Sequence, residues 1–231
     1  ESALEAAKRE AKSAFGDERV LIEKYINAPR HIEMQVFADR HGNAIHLDER
    51  DCSLQRRHQK VIEEAPAPCL SPELRAQIWQ MALDVVKTIG FRGVGTIEFM
   101  GDLDGHFFFT EIKPRIQIEH TVTEMISSVD LVREQIRLAA GEALSFTQAE
   151  VQLRGHAISC RITAQDPWRH YMPNPGTLRR VRLPTGHGVR VHAVVGAPMI
   201  GVRLERSRRD LSESRLGGGA VAGRVPHHQV R

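Results

Sequence analysis

Apolar positions recur at helical spacing over residues 1–15, where Leu4, Ala7, Ala11 and Phe15 share one stripe and Gly16 follows as a stop signal. Residues 20–26 (VLIEKYI) and 32–39 (IEMQVFAD) read as strands; in the second, Ile32, Met34 and Val36 alternate with Glu33, Gln35 and Phe37. A His41-Gly42-Asn43 turn leads into a third strand over 44–47. Residues 49–64 break this rhythm, because charged and amide side chains crowd together with little apolar periodicity. Ser71, Pro72 and Glu73 supply an N-cap, a first-position proline and a first-turn acid. They open a predicted helix to Ile89, with Ile78, Ala82, Val85, Val86 and Ile89 on its buried stripe and Gly90 at its end. Strands at 94–100 and 106–113 flank the hairpin signal Asp102-Leu103-Asp104-Gly105. A helix is predicted from 128 to 140, ended by Gly141, and a domain boundary within 142–154. Short strands follow at 155–163, 177–183 and 188–194, punctuated by Pro173, Pro175 and Gly176. Beyond Gly196 no period is evident, which predicts a poorly ordered tail.

Composition narrows the class. The 231 residues are 41% hydrophobic and 26% charged, enough to bury a core and too apolar for general disorder. No apolar run approaches the ~20 residues a membrane helix needs. Residues 1–12 are too charged for a signal peptide. Helical spacing from the first residue, with no cap before it, gives the expectation that the sequence is an internal piece of a longer protein. The net charge of +3 is unevenly spread. Residues 197–231 carry seven arginines against Glu205, Asp210 and Glu213, so the preceding 196 sum to −1 and offer no nucleic-acid footprint. Cys52, Cys69 and Cys160 show no CxxC spacing, which argues against a disulfide framework or zinc ribbon and for a reducing, cytoplasm-like compartment.

The segment 111–119, EIKPRIQIE, bears the most chemistry. Strand alternation would place Glu111, Lys113, Arg115, Gln117 and Glu119 on one face, and Ile112, Pro114, Ile116 and Ile118 on the other. Such a polar face is ordinarily just solvated. Here, however, Pro114 signals a departure from regular pairing, and the hairpin can bring Glu98 opposite the Glu111 region. Two facing carboxylates repel unless a cation lies between them, and a hard divalent ion such as Mg²⁺ with a nucleotide resolves the conflict.

The chain resembles the biotin carboxylase component of biotin-dependent carboxylases, in the ATP-grasp superfamily. The matching stretches are EKYI (23–26), PRHIEMQVFAD (29–39), ERDCSLQRRHQKVIEEAPAP (49–68), GTIEF (95–99), the E-x-x-x-R-x-Q-x-E-H run (111–120) followed by VTEM (122–125), and RGHAISCRI (154–162). The resemblance implies an α+β fold. It would comprise an ATP-grasp domain over 1–141 lacking its N-terminal glycine-rich loop, a connector at 142–153, a partial, mainly-β C-terminal domain at 154–196, and an aberrant tail at 197–231. It also implies ATP- and Mg²⁺- (or Mn²⁺-) dependent carboxylation of biotin from bicarbonate through carboxyphosphate. The implied partners are a biotin carboxyl carrier, a carboxyltransferase and a second copy of the chain, in the cytoplasm or a mitochondrial matrix.

Position by position, Glu23, Lys24 and Ile26 match the stretch that meets adenine and ribose, and His31, Gln55 and His58 match further nucleotide contacts. Lys60 matches a basic group facing phosphates and bicarbonate. Glu98 and Glu111 match the metal carboxylates, and Arg115, Gln117 and the Ile118 backbone match the bicarbonate pocket. Glu119 matches the general base, and Arg161 the residue that steadies the biotin enolate.

Three departures set expectations of their own. Lys113 stands where the family has an asparagine, and an ammonium has no lone pair for a metal; weaker Mg²⁺ binding is expected. The glycine-rich loop of the family is not among these residues, which gives the expectation that the chain by itself clamps ATP poorly. After about Val191 the sequence leaves the family pattern, as a truncated gene or a shifted frame would make it do. Two alternatives therefore stand beside an active ligase: a non-catalytic remnant or assembly module, and another ATP-grasp ligase. The RRHQK run and Arg161 weigh against the latter.

Overall fold

The computed structural model of the chain describes residues 2–174, 176, 182–193 and 201–207. Helix α1 (Ser2–Phe15) leads through an irregular segment to β1 (Arg30–Ala38), β2 (Ala44–Arg56) and β3 (Gln59–Ala65). Helix α2 (Pro72–Thr88) precedes the hairpin of β4 (Gly93–Gly101) and β5 (Phe107–Lys113), and helices α3 (His120–Ser127) and α4 (Leu131–Ala139) follow it. Then come β6 (Ala157–Thr163), the small ribbon of β7 (Gln165–Asp166) and β8 (Met172–Pro173), β9 (Val189–Ala193) and β10 (Gly201–Ser207). Eight strands form one antiparallel sheet in the order β5-β4-β1-β2-β3-β6-β10-β9.

The sheet is covered on both faces near its centre, so β1 is buried along almost its whole length. Strand alternation divides its residues. Ile32, Met34, Val36 and Ala38 join Ile97 and Phe99 against Ile78, Ala82 and Val86 of α2. On the opposite face Phe37, Ile45 and Val94 meet Leu131 of α4, while Val122 and Ile126 of α3 pack on Ala65 and Ala157. His31, Glu33 and Gln35 lie on that second face by the same alternation, buried between these apolar patches. Helix α2 begins as its sequence predicts: Ser71 caps it by accepting a hydrogen bond from the Leu74 N–H, and Pro72 opens the first turn.

Several expectations are corrected. Residues 20–26 form no strand; among the described residues no strand pairs with the segment, and Leu21, Ile22 and Tyr25 are among the most exposed side chains described. The third strand does not stop at Leu47, because β2 runs on to Arg56 through the charged run. Polar groups there satisfy one another inside the fold, which removes the need for apolar alternation. The helix expected over 128–140 is two helices. Ser128 ends α3 in the left-handed conformation (φ 59°), and the Asp130 side chain caps α4 by accepting from the Arg133 N–H. Residues 201–207 of the expected tail form β10, paired with both β6 and β9. The period-two pattern GVRLERS was masked by its arginine-rich surroundings. The strand expected at 177–183 falls largely on residues 177–181, outside those described, as do 208–231. Across the expected boundary at 142–154, β6 pairs directly with β3, so the ladder is unbroken there.

Candidate active site

The site is built from side chains that β1, β2, β3, β4, β6 and the loop before α3 aim at one buried point. In β1–β4 register Glu33 faces Glu98, and in β1–β2 register Glu33 faces Arg50. Three carboxylates surround the Lys60 ammonium: Glu33 in direct hydrogen bond, Glu98 at 3.5 Å and Glu119 at 3.8 Å. Burial opposes the charge on Lys60, but Glu33 and Glu119 outweigh it and raise its pKa. Burial likewise opposes ionisation of Glu98. The hydrogen bond from His31, the nearby Lys60 charge and the Gln117 amide overcome it and hold its pKa at about 2. Glu119 is also lowered: burial works against it, and the charges of Lys60, Arg161 and Arg50 prevail.

His31 is a bridge. Gln55 Nε2 donates to Nδ1 at 2.7 Å, which leaves the proton on Nε2 to donate to Glu98 at 3.0 Å. Gln117 Nε2 donates to the other oxygen of Glu98 at 2.9 Å. Arg161 Nε donates to Glu63 at 2.9 Å, and its Nη2 donates to Glu119. Arg50 is fully buried and touches Glu33, Gln35, Thr96, Gln117 and Thr123. The neighbouring Cys52 thiol is pushed well above its usual pKa by burial and by Glu33, which makes it a packing residue.

Seven residues singled out from sequence thus converge: His31, Gln55, Lys60, Glu98, Gln117, Glu119 and Arg161. The single polar face expected along 111–119 is not formed. Pro114 has no N–H for the ladder, β5 ends at Lys113, and the chain turns toward α3. Gln117 and Glu119 consequently turn inward while Glu111 and Arg115 stay exposed. Glu111 is the register partner of Glu98, yet its carboxylate pairs with Lys113 at 2.5 Å. The Arg115 guanidinium donates to the Ile116 carbonyl at 3.0 Å, and the Ile118 side chain is exposed. Glu23 and Lys24 are exposed and Ile26 half-buried on the irregular segment, where Lys24 lies 5.6 Å from the centre of the Phe108 ring. His58 is exposed at the β2–β3 turn with φ 61°.

Sequence reading missed Glu33, Arg50 and Glu63. Glu33 was seen only as the polar half of an alternating strand. A signal was available: the acid and amide of β1 lie on a strand also carrying three branched or sulfur-containing apolar residues, as a strand covered on both faces would.

Four carboxylates (Glu33, Glu63, Glu98, Glu119) meet three permanent cations (Arg50, Lys60, Arg161) within this cluster. Hard oxygen donors with an excess of negative charge suit a divalent cation such as Mg²⁺. His31, Glu33 and Glu98 offer ligand atoms mutually within 4.8 Å. The donor set therefore fits the metal on the Glu98 side, and Glu111 would have to leave Lys113 to join it.

Residues 1–147 match the family of carbamoyl-phosphate synthase L chain ATP binding domains. The chain belongs to that family. Relatives that the chain resembles include proteins named biotin carboxylase. Over 190 residues it is 53% identical to the biotin carboxylase of Nostoc sp., covering 82% of this chain and 42% of that protein. Over 190 residues it is 51% identical to the biotin carboxylase of Haemophilus influenzae, again covering 82% and 42%. The biotin carboxylase domain of Hydrogenobacter thermophilus 2-oxoglutarate carboxylase, solved as a dimer with MgADP, ADP and bicarbonate, superposes with a TM-score of 0.83 at 44% identity, over 89% of this chain and 47% of that one. Biotin carboxylase from Campylobacter jejuni, in a β-γ-ATP complex, gives 0.84 at 43%, over 90% and 48%. The fold is accordingly the α+β ATP-grasp architecture of biotin carboxylases, and the chain spans less than half the length of these relatives. Among the described residues no helix is long and apolar enough to cross a membrane.

Proposed function

We propose that this chain carries the bicarbonate-activating half of a biotin carboxylase, an ATP-dependent ligase that carboxylates biotin. The observation that carries the reading is the buried cluster of Lys60, Glu98, Gln117, Glu119 and Arg161, assembled from strands far apart in sequence. Gln117, Arg115 and the Ile118 backbone bind bicarbonate. Glu119, held ionised by its cationic neighbours, accepts the bicarbonate proton. The freed oxygen attacks the γ-phosphorus of ATP, whose bond to the bridging oxygen of ADP breaks, giving carboxyphosphate. Carboxyphosphate breaks its carbon–oxygen bond to give CO₂ and inorganic phosphate; the phosphate takes the N1 proton of biotin, Arg161 steadies the resulting ureido oxyanion, and N1 bonds to the carbon of CO₂.

Phosphoryl transfer asks for positioning and charge neutralisation rather than covalent help. Lys60 supplies neutralisation from β3. Glu98 and Glu111 would hold Mg²⁺, or Mn²⁺ in its place, which supplies Lewis-acid neutralisation of the phosphates. Glu23, Lys24, Ile26, His31, Gln55 and His58 orient the nucleotide. The biotin arrives on a carboxyl carrier, a carboxyltransferase consumes the product, and the working enzyme is a homodimer in the cytoplasm or an organelle matrix. The Lys113–Glu111 pair favours a second reading, a non-catalytic module, because it occupies one metal carboxylate.

Calorimetric titration with MgATP tests both, comparing the chain with the Glu98→Gln, Glu111→Gln double variant. Saturable binding lost in the variant is expected. Equal heats in both would overturn the metal assignment, and no binding in the parent would favour the module.

A further inference from the structure

Among the described residues Arg50 makes six hydrogen bonds with its five N–H groups, all to internal partners. Nε donates to Glu33 at 3.3 Å; Nη1 donates to Gln35 at 2.7 Å and to Thr123 at 3.1 Å. Nη2 is shared among Glu33 at 3.2 Å, Thr96 at 3.1 Å and Gln117 at 3.2 Å. No donor is left for a substrate, and the side chain has no exposure to solvent. Any role in the reaction must therefore pass through the groups it holds.

The group that matters is the Gln117 amide. Its carbonyl oxygen accepts from Arg50, and its Nε2 donates to Glu98. A guanidinium can only donate, and an ionised carboxylate can only accept. The amide is thus clamped between two groups of fixed polarity, and a flip would set donor against donor on one side and acceptor against acceptor on the other. Gln35 is fixed by the same logic, with its oxygen on Arg50 and its nitrogen on the Gly95 carbonyl at 2.8 Å. We propose that Arg50 is a positioning residue that sets the orientation of the Gln117 amide, and through it the recognition of bicarbonate. The last step rests on the reading of Gln117 as a bicarbonate contact.

Arg50→Met leaves Glu33 buried without its guanidinium and can prevent folding, so Arg50→Lys is the decisive variant. Lysine keeps the charge but loses the planar fork that reaches Glu33, Gln35 and Gln117 together. Two measurements on the full chain are needed. The first is the ¹⁵N side-chain amide pair of Gln117, assigned by its loss in Gln117→Leu. In the parent the pair should be shifted from solvent values and slow to exchange; in Arg50→Lys it should move toward free glutamine. The second is the affinity for bicarbonate and for MgATP, read beside the thermal midpoint. Arg50→Lys should weaken bicarbonate about tenfold, on the scale of one misoriented hydrogen bond, and leave MgATP within about twofold. Unchanged Gln117 resonances would overturn the proposal. So would losses of both ligands that simply follow a lowered midpoint. If the parent binds no bicarbonate, the functional reading of Gln117 fails, while the amide resonances still decide whether Arg50 orients it.

Discussion

Lys113 and Glu111 stand two residues apart on β5 and form a half-exposed ion pair. Such pairs contribute at most about 1 kcal/mol, because water screens them and both side chains lose freedom. A divalent ion competing for Glu111 must nonetheless displace that ammonium. Lys113→Asn is therefore expected to tighten Mn²⁺ binding by up to about fivefold, the equivalent of that pair, read by the loss of free Mn²⁺ signal in electron paramagnetic resonance. In a completed enzyme of the proposed function it should also raise bicarbonate-dependent ATP cleavage; unchanged metal affinity would show that Glu111 takes no part. At this scale the sequence was informative where a residue type admits few uses. Glu119 and Arg161 were legible from their motifs. Arg50 was not, because a buried arginine and a surface arginine look alike until the strands around it are known.

Among the elements, α2 carries the clearest signals, and its docking is the most open to measurement. Ile78 is fully buried between β1 and β4 residues. Ile78→Ala should cost roughly 2–5 kcal/mol from lost transfer energy and a residual cavity, measured by urea unfolding. Trp79 is a different kind of anchor: its indole N–H donates to Asp48 at 2.8 Å, and its ring stacks on His46 with centroids 4.6 Å apart. Trp79→Phe should cost about 1–3 kcal/mol by leaving the buried Asp48 oxygen short of a donor. Caps and glycine stops made α2 readable because they act locally. The run 20–26 misled for the opposite reason, since its apolar residues resemble a strand, yet among the described residues no strand pairs with it and Leu21, Ile22 and Tyr25 are exposed. β2 was cut short because Glu49, Arg50 and Asp51 look like loop residues; their partners lie on β1, α2 and β4.

Over the whole molecule, the buried ionisable groups shape stability against pH. Glu98 at about 2 and Asp39 at about 2 both lie below their unfolded values of 4.5 and 3.8. The unfolded chain then binds more protons between those limits, so stability should climb from pH 2 to about 4.5 and hold above that. His46, lowered by burial to about 4 from 6.5, adds a further rise up to pH 6.5 for the same reason. Glu49 acts the other way. Burial and the adjacent Asp48 push it up to about 8, so the folded chain binds the extra proton and its contribution declines from pH 4.5 toward 8. Urea unfolding across pH 2–8 should show a steep acid limb, a shallow region from about pH 4.5 to 6.5 where His46 and Glu49 offset, and a decline from there toward pH 8 where Glu49 acts alone. Glu49→Gln should unmask the His46 rise; a profile still flat in that variant would refute the assignment.

β3 belongs to two neighbours at once: Gln55 stands beside Lys60 on one side, and Ser159 beside Glu63 on the other. The rung that aims Lys60 at the carboxylates is thus two steps along the same ribbon from the rungs that seat Arg161. Under the proposed function, phosphate chemistry and biotin chemistry are geared to a single rack. A slip of one tooth between β3 and β6 would turn Arg161 to the far side of the sheet, and Glu119 would lose the Arg161 guanidinium although not one side chain had been changed.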